Sequence, residues 1–223
     1  MTCNRFHTPR PDFNKLYIFG AGGSGREVAW LAEQSWGRDV EIEFLVDIPN
    51  YPRQAINGYA VRLITEVTPD SSARIVIAVG DPSARRRIAT VCATTGLQEA
   101  VVVHPRAEIS ELVTLDPGTI ICAGAILTTN IRVGRHVHIN LDCTVSHDAV
   151  IGDFATLSPG VHISGHVHIG RGAFIGTGAN VINGSADAPL IIGDNAVIAA
   201  GACVTKSVDR SALVAGVPAT RKR

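Results

Sequence analysis

The chain has 223 residues, 46% of them hydrophobic, which is enough to bury a core and excludes a disordered chain. Twenty Lys+Arg balance twenty Asp+Glu, so no bulk positive charge points to nucleic acid, and 22 glycines against 5% aromatics point to a tightly turned, repetitive architecture. The five cysteines, Cys3, Cys92, Cys122, Cys143 and Cys203, are scattered without a C-x-x-C pair and read as reduced thiols of a cytoplasmic protein.

Residues 1–14 carry charge, prolines and no apolar run, so they read as a flexible start and not a signal peptide; no later run reaches the length of a membrane span. A strand over Leu16–Phe19, a glycine loop over Gly20–Gly25 and a helix over Arg26–Glu33 follow in order. Further strands are expected over Glu41–Asp47 and Arg74–Gly80, a helix from Pro82, and a short apolar run over Val101–Val103. Strands alternating with helices imply a small parallel sheet, a Rossmann-like domain over residues 15–105.

After Pro105 the period changes. Stepping by six from Ile109 through Leu115, Ile121 and onward to Val181 meets thirteen aliphatic residues in succession. A period of six is neither helical nor alternating, so it requires a short strand and a turn, repeated and stacked into a coil over residues 106–223. The phase breaks once, at Asn183–Pro189, before Ile192, Ile198 and Val204 resume it. That insertion reads either as a loop bordering a site or as a tolerated surface bulge.

The repeat, closed by Val214-Ala215-Gly216-Val217-Pro218-Ala219, resembles the hexapeptide-repeat acyltransferases, which fold as left-handed parallel β-helices. Three segments narrow the resemblance: Ile18-Phe19-Gly20-Ala21-Gly22-Gly23-Ser24-Gly25, Ile77-Ala78-Val79-Gly80-Asp81, and Val145-Ser146-His147-Asp148-Ala149-Val150-Ile151-Gly152-Asp153-Phe154. With them the chain is similar to the sugar O-acyltransferase (sialic acid O-acetyltransferase) family, and most to its N-acetyltransferases of UDP-linked 4-amino-4,6-dideoxy sugars. The resemblance implies an α/β N-terminal Rossmann-like subdomain that holds a nucleotide-sugar, followed by a left-handed β-helix. It also implies a homotrimer with acetyl-CoA between adjacent β-helices, no metal, and a role in surface-glycan or glycoprotein assembly. An O-acetyltransferase of a sialic-acid-like sugar, and a noncatalytic nucleotide-sugar-binding trimer, are the alternatives.

Acyl transfer needs a proton acceptor near neutral pH and a group that supports it, and His147 beside Asp148 fits that need. The resemblance assigns them these roles and assigns the Gly165 amide to the oxyanion. It places Thr156, Gly165, Thr177 and Gly201 against the cofactor, Gly22, Gly23, Ser24, Asp47 and Gly80 against the nucleotide-sugar, and Asn140 near the sugar. Thr156 and Ser24 stand where many relatives carry histidine, and neither can titrate as a histidine does. Gly20, Gly22 and Gly25 also complete G-x-G-x-x-G, a dinucleotide fingerprint, but the domain is too short for two mononucleotide halves. His136, His138, His162, His166 and His168 raise the question of a metal site, but ligands must converge on one point and residues six apart, such as His162 and His168, lie on adjacent faces and diverge, so the default expectation is solvated outer residues. Arg85-Arg86-Arg87 reads as a solvated helix face, with phosphate contact as the alternative.

Overall fold

The computed structural model of the chain describes residues 11–222 other than 50 and 53. It divides into two compact units, Met1–Pro105 and Arg106–Arg223. Of the expected flexible start, residues 1–10 lie outside the described residues, as does Cys3. Residues 12–14 are tied to the first unit and correct that expectation in part: Asp12 pairs with Arg74 at 2.9 Å, Phe13 meets Trp36 edge-on, and Asn14 donates its N–H to Ser72.

The first unit is a parallel five-stranded sheet in the order β3-β2-β1-β4-β5, with β1 Lys15–Phe19, β2 Glu41–Val46, β3 Ala60–Leu63, β4 Ala73–Ile77 and β5 Gln98–Glu99. Helix α1 (Gly23–Trp36) follows β1, and α2 (Pro82–Ala93) follows β4. Tyr17, Phe19, Leu45, Ile75 and Ile77 pack with Cys92 and Leu97. The alternate side chains Leu16, Ile18, Phe44 and Val76 are also buried, as a sheet covered on both faces requires. Sequence reading missed β3 and β5: both are edge strands, too short to show a period.

Two local readings change. Helix α1 begins at Gly23, three residues before the expected start, because glycine's weak helix propensity masks the first turn. Arg85 is not solvated: it is fully buried, and its Nη1 donates to the Val79 and Gly80 carbonyls at 2.6 and 3.0 Å. Burial pushes this guanidinium below the usual arginine range, while Asp81 opposes the shift. Arg86 and Arg87 are exposed, as expected.

The second unit is a β-helix in which, up to the insertion, each strand pairs in parallel with the strand 18 residues on, as Leu127 does with Ile109 and with Val145. Three six-residue steps therefore make one coil with three faces. Face one carries Leu127, Val145 and Ile163, face two Val133, Ile151 and Ile169, and face three Ile121, Ile139, Leu157 and Ile175. From Ile121 to Val181 every one of these rung aliphatics is 0–2% exposed. Ala125, Val137, Cys143, Ala149, Ala155, Ala173 and Ala179, at the inside of the turns, are equally buried. Fully burying such a Val, Leu or Ile is worth about 1.5–3 kcal/mol, which makes the repeated rung the main source of this unit's stability.

From Leu115 to Ile175 the third residue after each rung aliphatic turns the corner with a left-handed backbone. Glycine fills that position at 118, 124, 160, 172 and 178; Asn130, His136, Asp142, Asp148, Phe154 and His166 fill it between them. The insertion is absorbed without loss of register: the pairing offset becomes 23 residues, as in Ile175 with Ile198, and then holds through Val181 with Val204.

Two histidines depart from the expectation of solvated outer residues. His136 is 2% exposed because its ring stacks on Phe154, one coil on, at 4.9 Å between centroids. His138 is 6% exposed, on face three beside Ile120 and Thr156.

Candidate active site

One corner of the β-helix, between faces one and two, concentrates the titratable chemistry. His147 Nδ1 lies 2.8 Å from Asp148 Oδ2, so in neutral His147 the Nδ1–H donates to the carboxylate and Nε2 carries the lone pair. Asn130, one coil earlier, donates through Nδ2 to the other Asp148 oxygen at 3.3 Å. His166, one coil later, brings Nε2 to 3.8 Å from Asp148 Oδ2, and its ring meets the His147 ring edge-on. The hydrogen bond from His147, joined by that from Asn130, holds the Asp148 carboxyl below the usual carboxylate range. The pair is open to solvent, with the His147 side chain 54% and the Asp148 side chain 40% exposed.

Gly165 forms the floor of this corner. A Cβ placed on it would stand 2.5 Å from His147 Cε1 and 2.6 Å from Nε2, so any side chain here would displace the imidazole. The need for glycine is spatial, since Gly165 is not among the positive-φ residues. Its N–H has no acceptor among the described residues, whereas its carbonyl accepts from Gly184. The corner is stitched vertically by Asp148 N–H to Thr129, His166 N–H to His147 and Gly184 N–H to Gly165 carbonyls, at 3.0–3.1 Å.

The insertion Asn183–Pro189 springs from this same corner. Leu190 returns its N–H to the His166 carbonyl at 3.0 Å, and Ser185 and Ala188 close the loop on each other. The loop therefore lies beside the cluster.

The other expected residues of this unit gather elsewhere. Asn140, Thr177 and Gly201 lie along the neighbouring corner, between faces three and one; the Gly201 N–H donates to Thr177. Asn140 is occupied in part, its Nδ2 donating to the Leu157 carbonyl at 2.7 Å. Thr156 is on face three and 2% exposed. Within one chain, face one separates these residues from His147, Asp148 and Gly165.

His166 and Asn130 were not singled out as site residues, although the sequence held the signal. Both stand 18 residues from Asp148, one coil either way, at the same left-handed corner position. His162 and His168 do diverge: His162 is exposed on face one and bonded to Thr144, and His168 is on face two.

In the first unit, Gly22, Gly23 and Ser24 follow β1, Asp47 follows β2 and Gly80 follows β4, so all five meet at the carboxyl ends of three adjacent strands. The sheet order reverses between β1 and β4, and α/β sheets bind ligands in the crevice at such a switch point. No side chain caps α1 at Gly22, which leaves the first-turn amides and the positive end of the helix dipole for an anion. The fingerprint glycines divide: a Cβ on Gly25 would collide with the Gly20 carbonyl oxygen, whereas Gly22 and Gly23 have nothing within 4 Å. Gly25 is needed for the helix to pack on the strand; Gly22 and Gly23 face open space.

Comparison with known proteins agrees with both units. Residues 15–92 match the PglD N-terminal domain, and residues 148–183 match the bacterial transferase hexapeptide (six repeats). The chain is 34% identical over 187 residues to the GDP-perosamine N-acetyltransferase of Escherichia coli O157:H7, covering 81% of this chain and 83% of that protein. Among solved structures it is similar to WeeI from Acinetobacter baumannii AYE, with TM-score 0.87, 33% identity, and 92% and 98% of the two chains covered. It is also similar to the acetyltransferase domain of PglB from Neisseria gonorrhoeae FA1090 in complex with acetyl coenzyme A, with TM-score 0.83, 31% identity, and 94% and 99% covered. A paired α/β unit and hexapeptide coil, with this extent of similarity, place the chain in the hexapeptide-repeat family of sugar N-acetyltransferases that carry a PglD-type N-terminal domain.

Proposed function

We propose that this chain transfers the acetyl group of acetyl-CoA to the amine of a nucleotide-linked amino sugar. The observation that carries the reading is the His147–Asp148 pair, with Nε2 free of the carboxylate and seated over Gly165. In this reading the sugar amine attacks the thioester carbonyl carbon. The new C–N bond forms to give a tetrahedral intermediate and His147 Nε2 takes the amine's proton; as the intermediate collapses the C–S bond breaks, and that proton leaves with the thiolate as CoA thiol. Asp148 keeps the imidazole in the required tautomer and supports its charged form. The Gly165 N–H is the donor for the oxyanion of the tetrahedral intermediate.

Gly22, Gly23, Ser24, Asp47 and Gly80 are assigned to the nucleotide-sugar, on the strength of the open helix N-terminus at the switch point. Buried Arg85 positions this edge through the Val79 and Gly80 carbonyls. Thr177 and Gly201 are assigned to acetyl-CoA and Asn140 to the sugar; Thr156, 2% exposed, offers the cofactor almost no accessible surface. One Asn140 Nδ2 proton is already used, so its Oδ1 and the second N–H remain for the sugar's hydroxyls. The separation of the cofactor corner from the His147 corner favours a homotrimer in which one chain's cofactor corner faces the catalytic corner of the next. Exposed Ile126 and Ile182, apolar side chains on and beside face one, support such a contact.

The resemblance read from the sequence implies a UDP sugar. The Escherichia coli relative and the Caulobacter crescentus protein PerB, solved with CoA and GDP-perosamine at 26% identity, favour GDP. Screening UDP-, GDP- and CMP-linked amino sugars for thermal stabilisation and for CoA thiol release, with the product identified by mass, tests both the activity and the nucleotide. Release of thiol that depends on an amino sugar, with an N-acetyl product, is the expected result; no release with any sugar overturns the reading.

A further inference from the structure

We propose that His147, Asp148 and His166 form a binding site for a borderline divalent cation of the zinc type, and that occupancy switches the base off. Their ligand atoms lie within 4.8 Å of one another, and among the described residues this is the group of three or more His, Cys, Asp or Glu side chains so placed. A tetrahedral zinc with bonds of about 2.0–2.2 Å requires neighbouring ligand atoms roughly 3.3–3.5 Å apart. The separations here, 2.8 Å from His147 Nδ1 to Asp148 Oδ2 and 3.8 Å from His166 Nε2 to the same oxygen, straddle that value. The three ligand atoms span at most 4.8 Å, so side-chain rotation is what has to close the site. The two rings meet at 87°, so their nitrogens converge on the carboxylate instead of stacking past it.

The frame around the cluster is rigid. Asp148 and His166 occupy equivalent left-handed corners of successive coils, and the His166 N–H to His147 carbonyl bond of 3.0 Å fixes their spacing. Asn130 holds the second carboxylate oxygen, the kind of outer support that orients a metal ligand. Glycine at 165 and partial exposure of all three side chains leave a path in and room for water as a fourth ligand. Two imidazoles and one carboxylate suit zinc better than magnesium or calcium, which prefer oxygen donors.

The consequence for His147 follows from its two nitrogens. A cation on Nδ1 displaces the hydrogen bond to Asp148 and leaves the remaining proton of the neutral ring on Nε2, the atom that must accept the amine's proton. Bound cation and base function therefore exclude each other. The site itself stands on geometry; only its inhibitory effect rests on the acetyltransfer reading.

Metal-free full-length protein titrated with Co²⁺ should develop the visible absorption of a tetrahedral centre, saturating at one ion per chain and displaced by Zn²⁺. His166→Asn removes the imidazole yet suits a left-handed corner, so its fold is expected to persist, checked by circular dichroism. It should weaken Zn²⁺ binding at least tenfold by calorimetry, whereas His162→Ala on face one should leave binding unchanged. Zn²⁺ should also inhibit thiol release by the wild type, and a chelator should restore it. Failure to saturate at one ion per chain, or equal affinity in wild type and folded His166→Asn, overturns the site. Zinc that binds with full dependence on His166 and leaves turnover unchanged upholds the site and overturns His147 as the base.

Discussion

At the scale of single residues, the proposed chemistry is concentrated in one hydrogen bond and one missing side chain. The Nδ1 contact with Asp148 leaves the His147 Nε2 lone pair free of the carboxylate, and the absence of a Cβ at Gly165 makes room for the ring. General-base assistance is typically worth ~10²–10⁴-fold, so His147→Ala should lower kcat by about that factor with little change in either KM, read by thiol release. A variant that keeps more than about a third of kcat at pH 7 would show that positioning alone drives the reaction. Asp148 makes a second, pH-dependent expectation. Its folded pKa is lowered, so its contribution is present above the ordinary carboxylate value of about 3.9 and is lost only as pH falls through the lower folded value. Its charge is therefore constant from pH 5 to 9. Asp148→Asn should therefore reduce kcat by a similar proportion throughout that range; a loss confined to one end of it would mean that the Asp148 charge changes there.

At the scale of elements, both units set their candidate sites at the ends of strands, where side chains leave the core. In the first, the open N-terminus of α1 meets the carboxyl ends of β1, β2 and β4. Gly22→Val should raise the KM for the nucleotide-sugar and leave that for acetyl-CoA nearly unchanged, because nothing of the protein lies within 4 Å of the new Cβ. Equal changes in both constants would point to general damage. In the second unit each rung aliphatic is a plug in a stacked core. Ile163, 1% exposed on the coil below the insertion, lies two residues before Gly165. Ile163→Ala should cost about 2–5 kcal/mol in urea unfolding, through lost burial and the cavity left behind. A loss under 1 kcal/mol would mean that neighbouring rungs collapse into the space.

At the scale of the whole molecule, the two corners assigned above to cofactor and base are kept apart by the chain's own coil. In the proposed homotrimer the cofactor corner of one chain meets the His147 corner of the next, so light scattering should return three times the 23.5 kDa chain mass. A monomer fully active at nanomolar concentration would sink the shared-site arrangement. Among the described residues no helix is long and apolar enough to cross a membrane.

The sequence by itself determined the coil, because every sixth residue must be aliphatic to fill a triangular core and the defect at Asn183–Pro189 interrupts that demand visibly. It also determined the β-loop-α opening and the adjacency of His147 and Asp148, both local in the chain. The tertiary structure alone decided which distant residues share a corner. Stacking by 18 residues brought Asn130 and His166 to Asp148 and hung the insertion over His166. Burial of Arg85 beneath the Gly80 loop and the stacking of His136 on Phe154 were equally illegible, since a polar residue's sequence neighbours do not say which face the fold will cover. The edge strands β3 and β5 owe their place to pairing with longer neighbours, a long-range preference that four and two residues cannot display on their own.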